Sequence, residues 1–175
     1  MKKLLIASLA IVIISLSCKK SGSSSGSYSI TASANDTAMT FNVNAMATED
    51  STGGITSLVI FGNVSSAANL QGISLDINNS PTHKPIVAGT YVETNTTDFV
   101  TAGVYNPGSS TIVYGAGIEP NPTNPLTITI TSIDKNTVKG TFSGDFYYMN
   151  TQTAYIGLPI KTFTKGQFYV KIQPL

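Results

Sequence analysis

His83 is the only histidine in the chain, and it stands in a loop bracketed by Pro81 and Pro85. A Ser-His-Asp relay has to pass through it, and no serine sits in the strand-to-helix turn that exposes a nucleophile. Gly22-Ser23-Ser24-Ser25-Gly26 matches the G-x-S-x-G pattern by letters alone, because an apolar leader precedes it and no helix follows. Sugar hydrolysis needs two carboxyl groups meeting across a cleft. Asp76, Glu93, Asp98, Asp134 and Asp145 are dispersed, and strand alternation predicts Asp145 on the wet side. Zinc needs three or four His, Cys or carboxylate ligands, more than this composition brings together. Glu49 and Asp50 with the following Ser-Thr-Gly-Gly loop are the nearest approach to a calcium site, and they read first as a solvated turn. Gly115-Ala116-Gly117 lacks the helix that a phosphate loop requires. The residue types predict no catalytic constellation, no metal site and no cofactor, so the expectation is a protein that is not an enzyme.

One residue does point to covalent chemistry. Cys18 is the only cysteine, which excludes an internal disulfide. Before it lie Lys2 and Lys3, then an apolar run from Leu4 to Leu16. That run has the length of a signal-peptide core and is shorter than the roughly 20 residues of a membrane-spanning helix. Ser15-Leu16-Ser17-Cys18 resembles the lipobox of bacterial lipoproteins, with serine where leucine is commonest. The resemblance implies a leader over residues 1–17, a cut before Cys18, and a diacylglyceryl group on its thiol. The other reading is a secretory leader cut elsewhere, with Cys18 removed or free. Each buried acyl methylene contributes about 0.8 kcal/mol, so two or three acyl chains hold a domain to a membrane. Lys19 in place of aspartate implies the outer membrane, facing either the periplasm or the cell exterior. Ser21 to Gly26 completes a flexible tether over residues 18–26.

Binding is the remaining chemistry. Tyr147, Tyr148, Tyr155 and Tyr169 gather in the C-terminal quarter of the chain. Exposed tyrosines stack on sugar faces or anchor a protein partner; buried ones pack with a hydroxyl at the rim. The four are candidate ligand-binding residues for a glycan or an envelope protein. Asp36-Thr37-Ala38 and Asp50-Ser51-Thr52 resemble short acceptor sequences for O-glycosylation. Charged residues make up 11% of the chain, none is arginine, and beyond the leader eight lysines face nine acids. Nucleic acid needs clustered Lys and Arg, so it is not an expected partner.

The elements that position these residues read as strands. Leu126, Ile128 and Ile130 alternate with threonines, Asp134-Lys135-Asn136 turns the chain, and Val138, Gly140, Phe142, Gly144 and Phe146 alternate with polar residues. A period of two demands a pleated strand with one dry and one wet face. The same period predicts strands near Tyr28–Ala32, Met39–Ala45, Ser57–Val64, Ile73–Ile77, Asp98–Tyr105, Thr111–Ala116, Ile160–Thr164 and Phe168–Ile172. Apolar residues on both faces of Ser57–Val64 predict a central strand. Glycines between aromatics in Val138–Phe146 mark bends or make room for rings. No segment carries apolar spacing at 3.6. Residues 27–175 are therefore expected to form one all-β domain. The first architecture is an antiparallel β-sandwich of about nine or ten strands, and the alternative is a lipocalin-like barrel.

Gly89-Thr90-Tyr91, the string from Ile128 to Tyr148, and Lys165-Gly166-Gln167-Phe168-Tyr169-Val170 together resemble a family of small Bacteroidota lipoproteins of unknown function. The resemblance covers most of Gly72 to Ile172. Its motifs are structural, so it implies a fold and an envelope location without an active site. The expected function is a membrane-anchored, non-enzymatic binding or structural module. The alternatives are a carrier for a small apolar ligand inside a barrel and a carbohydrate-binding surface lipoprotein.

Overall fold

A computed structural model describes residues 28–50, 55–65, 71–79, 84–94, 98–108, 111–117, 122–150 and 155–174. Cys18, the tether, His83 and the side chain of Tyr155 lie outside the described residues. All regular structure is β. The strands are β1 (Ser29–Ala34), β2 (Thr37–Phe41), β3 (Val43–Asp50), β4 (Ser57–Asn63), β5 (Gln71–Asn78), β6 (Gly89–Val92), β7 (Val100–Pro107), β8 (Ile112–Ala116), β9 (Thr127–Ile133), β10 (Thr137–Asn150) and β11 (Tyr155–Pro174).

The eleven strands form one hydrogen-bonded network with two limbs. In the first limb the order is β2-β1-β11-β10-β9-β6, and every pairing is antiparallel. The second runs β3-β4-β5-β7-β8, also antiparallel. Two strand ends join the limbs. The last residues of β11 pair in parallel with β3, Lys171 opposite Met46, and the end of β10 pairs with β8, Tyr147 opposite Gly115. The ladder thus returns on itself through β11, β3, β4, β5, β7, β8 and β10.

A shared core lies between the limbs. Phe41 on β2 and Phe163 on β11 meet Tyr105 on β7, with ring centroids 6.4 Å and 5.3 Å apart. Phe146 lies 4.8 Å from Phe163. Phe41, Phe146, Phe163, Leu58, Leu75 and Ile128 are fully buried. Each buried side chain of this size contributes about 1.5–3 kcal/mol.

The all-β expectation holds, and the expected strands differ from the observed ones at particular residues. Met39–Ala45 divides at Asn42, between β2 and β3, and the register of β3 against β4 shifts between Val43 and Met46, where Asn44 has a φ of 52°. Asparagine tolerates that conformation better than most residues. Ile160–Thr164 and Phe168–Ile172 are one long strand, β11. A bulge joins them: two residues of β11, Thr164 and Lys165, oppose Ser143 between the Phe142–Gly166 and Gly144–Phe163 pairs, and Lys165 has φ 52°. The less regular stretch after Asn150 also enters β11, with Leu158 and Pro159 looped out between the Tyr147–Ile160 and Tyr148–Gly157 pairs. Proline belongs at such a bulge because it has no N–H for the ladder. Asn35 and Asp36, with φ 45° and 65°, make the two-residue turn between β1 and β2.

The glycine–phenylalanine alternation is reciprocal packing. Gly140 sits opposite Phe168, and Phe142 opposite Gly166. A Cβ on Gly140 would stand 2.1 Å from the Thr129 carbonyl oxygen and 2.5 Å from the Phe168 ring. A Cβ on Gly166 would stand 2.4 Å from the Phe142 carbonyl oxygen. Each glycine leaves room for its partner's ring, and both Phe142 and Phe168 are buried.

Candidate functional site

Period-two alternation in β10 and β11 sends one set of side chains away from the core. On β10 this set is Thr137, Lys139, Thr141 and Ser143; on β11 it is Lys165, Gln167, Tyr169 and Lys171. Lys139 lies directly opposite Tyr169, Thr141 opposite Gln167, and Thr137 opposite Lys171. Directly paired residues carry Cβ atoms about 4.5–5.5 Å apart on one face. Ser29 and Thr31 of β1 and Thr129 and Thr131 of β9 extend this face on either side.

Two open grooves cross it. One, of about 320 Å3, is lined by Ser29, Thr31, Thr131, Lys139, Thr141, Gln167 and Tyr169, with Gly140 and Phe168 beneath. The other, of about 350 Å3, is lined by Thr127, Thr129, Thr141, Ser143, Lys165 and Gln167, with Phe142 and Gly166 beneath. Thr141 and Gln167 border both, so the grooves are contiguous. Tyr28 lies beside Tyr169 at one end, ring centroids 5.4 Å apart and planes tilted by 51°. Both rings are 38% exposed.

The four tyrosines singled out from sequence do not form one site. Tyr169 is exposed at the groove. Tyr147 is buried, beside Gly115 on β8 and Ile160 on β11. Tyr148 packs edge-on against the buried Tyr114, centroids 6.0 Å apart. Tyr155 contributes backbone to β11 opposite Asn150. Ile160 and Tyr169 are nine positions apart on β11, well over 20 Å along the strand at about 3.3 Å per residue. Tyr147 and Tyr148 therefore belong to the far end of the hairpin. There Tyr114 also lies near Tyr105, and Lys161 stands 5.7 Å from the centre of its ring. Burial, with the neighbouring Tyr105 and Tyr148 phenols, pushes the Tyr114 hydroxyl above its ordinary pKa. Tyr28, which completes the exposed pair, was legible only as the first residue of a strand. Its pairing with Tyr169 depends on β1 lying beside β11, a long-range contact.

The carboxylates are placed by their hydrogen bonds. Asp145 is buried, in contrast to the exposed position that simple alternation predicts. Gly144 has φ 151° and lies at the bulge, where a Cβ would come within 2.5 Å of the Leu126 Cα. The alternation of β10 continues through it, with Phe146 fully buried like Phe142, and Asp145 lies opposite Thr162 on the other side of the strand. Its Oδ1 accepts hydrogen bonds from Thr162 Oγ1 at 2.8 Å and Asn124 Nδ2 at 3.2 Å. Glu93, also buried, accepts from the Gly117 amide through Oε1 and from the Leu126 amide through Oε2, both at 2.7 Å. Its own amide donates to the Leu126 carbonyl at 2.9 Å. Both groups are consumed in fastening the segment that enters β9. Sequence carried no sign of this, because the partners, backbone amides for Glu93 and side-chain donors for Asp145, are remote along the chain.

Asp134 behaves as a turn residue. Its carboxylate accepts from the Asn136 and Thr137 amides at 2.7 and 2.9 Å, and those bonds hold its pKa below the ordinary value. Glu49 carries a buried oxygen, Oε2, without a hydrogen-bond partner among the described residues, and Asp50 is described only by its backbone. No group of three or more His, Cys, Asp or Glu arranged to hold a metal occurs among the described residues. Thr37 is exposed where β2 leaves its turn, and Ser51 lies outside the described residues. No helix among the described residues is long and apolar enough to cross a membrane.

No family model, curated protein or solved structure matches the chain.

Proposed function

We propose that this protein is a lipid-anchored component of a bacterial outer membrane and acts without catalysis, as a binding module that presents the outer face of β1-β11-β10-β9. The observation that carries the binding reading is the pair of contiguous grooves on that face, with hydroxyl, amide and lysine side chains along their walls and Phe142 and Phe168 beneath, and with Tyr169, in contact with Tyr28, at one end. Interior space is taken by the Phe41, Tyr105, Phe142, Phe146 and Phe163 rings, which favours a ligand on the surface over one carried inside. The buried carboxylates are occupied by amide and hydroxyl donors, which supports a role other than acid–base chemistry. The anchor rests on the leader, on Cys18 and on the Ser-Gly tether, which gives the domain freedom above the lipid surface.

Cys18→Ala, expressed from its own leader in a bacterium that processes lipoproteins, tests the anchor. The variant is expected in the soluble envelope fraction, with the parent chain in the membrane fraction and carrying the added mass of acyl chains. Membrane retention of the variant at the parent's level contradicts the anchor.

A further inference from the structure

The outer face of the β10–β11 hairpin has a charge the whole chain lacks. Among the described residues there are six lysines, and Lys139, Lys165 and Lys171 project from this one face. No described residue projecting outward from β1, β9, β10 or β11 beside them is acidic; they are Ser, Thr, Gln, Lys and Tyr. Asp134 and Lys135 occupy the turn at one end together, and the Asp134 carboxylate is engaged by its own turn. Asp145, the acid that alternation places on this side, is buried, and its Oδ1 is engaged by Thr162 and Asn124. The result is a basic strip along β11, from Lys165 to Lys171 about 20 Å at about 3.3 Å per residue.

Deepening the binding role proposed above, on which it rests, we infer that this strip binds an anionic polysaccharide. The lysines supply point charges for carboxylate or sulfate groups. Thr141 and Gln167 both donate and accept hydrogen bonds, which matches the two-way bonding of sugar hydroxyls. Tyr28 and Tyr169, each 38% exposed and in ring contact with one another, offer aromatic surface at the end of the groove that Tyr169 lines. The two grooves on this face are open rather than enclosed, unlike the pocket that anchors a peptide side chain. An acidic peptide satisfies the lysines alone; an anionic sugar polymer satisfies the lysines, the hydroxyl wall and the rings together.

The test uses the full chain in detergent micelles, so its outcome is independent of whether Cys18 anchors the protein in cells. Four polymers of similar length serve as probes: polygalacturonate, dextran sulfate, neutral dextran and polyglutamate. At low salt, binding to polygalacturonate or dextran sulfate is expected to exceed binding to dextran and polyglutamate by at least about tenfold, a difference of about 1.4 kcal/mol. Tyr169→Ala is expected to lower the favoured interaction by about tenfold, and Lys139→Gln to lower both the affinity and its dependence on salt. Both positions are exposed, and unchanged thermal unfolding of each variant certifies its fold. Equal binding of polyglutamate overturns the sugar assignment in favour of an acidic peptide. Equal binding of dextran overturns the charge assignment. Absence of binding to either anionic polysaccharide, or a Tyr169→Ala variant that binds like the parent, overturns the proposal.

Discussion

The two limbs turn different outer faces to solvent, although both are built from strands with the same period of two. On the β1-β11-β10-β9 limb, the outward residues are Thr, Ser, Gln and Lys with two tyrosines at one edge. On the β3-β4-β5-β7 limb, adjacent outward rows read Met46, Phe61, Ser74 and Val104, then Thr48, Val59, Asp76 and Ala102. Val100 and Val104 there are 44% and 46% exposed. The first face is polar and basic; the second is largely apolar, with Asp76 near its middle and no described lysine. Alternation fixes how many faces a strand has. What lies against each face is a separate question, answered by composition. Scattered surface apolar residues are ordinary in soluble proteins, whereas a local concentration of one charge in a chain of near-zero net charge is less so.

The largest expected effect comes from breaking the glycine–phenylalanine packing that lies beneath the basic face. Gly140→Val places side-chain atoms against both the Thr129 carbonyl and the Phe168 ring, and neither can move without opening the β9–β10–β11 ladder. The expected loss exceeds about 4 kcal/mol, seen as failure to accumulate folded protein or as a fall of well over 10 °C in Tm. Unchanged Tm contradicts the reciprocal glycine–phenylalanine packing.

A smaller effect is expected where the limbs are tied together. Glu93 follows β6 at the edge of the first limb and accepts the amide of Gly117, just after β8 in the second. Glu93→Gln replaces one acceptor oxygen with an NH2 group that faces a donor. The expected cost is about 2 kcal/mol, measured by denaturant unfolding, with the polymer-binding face unaffected in its affinity. A neutral outcome contradicts the role assigned to this carboxylate.

The smallest effect belongs to the apolar face. Burial raises the Asp76 carboxyl above its ordinary pKa of 3.8, and its Oδ1 has no hydrogen-bond partner among the described residues. The folded chain therefore holds this proton more tightly than the unfolded chain. The site favours folding most below the ordinary carboxylate pKa, and that contribution is lost as pH rises through the raised value. Asp76→Asn stays neutral throughout. It is expected to have a higher Tm than the parent at pH 7, with the difference closing as pH falls through the raised value towards 3.8. A lower Tm for the variant at pH 7 indicates that the ionised carboxylate is stabilised by the fold.

Much of the fold was legible because strand alternation is local. The Ile-Thr and Gly-Phe runs around Asp134–Asn136 predicted the β9–β10 hairpin, and the inward role of its glycines followed from ring size. The bulges were not legible. Lys165 adopts a left-handed φ of 52° without being glycine or asparagine, and nothing local marks that it joins two expected strands into one. Asp145 keeps the outward parity that alternation assigns, opposite Thr162, and is buried where Thr162 and Asn124 close on its carboxylate, a long-range arrangement that nothing local marks. The tyrosines show the limit most clearly. Their nearness in sequence suggested a common surface, yet Tyr147 and Tyr148 lie at one end of a 20-residue strand's hairpin and Tyr169 towards the other. The basic strip was hidden because its lysines are unremarkable in number and become a group only when β10 and β11 pair in register.

The contrast between the two faces is tested most directly by mapping where polygalacturonate touches the protein, through backbone amide NMR shifts during titration. The account predicts shifts at Lys139, Thr141, Gln167 and Tyr169, with Val59, Asp76 and Val104 unmoved. Shifts centred on Val59, Asp76 and Val104, or no shift on either face at saturating polymer, would contradict it.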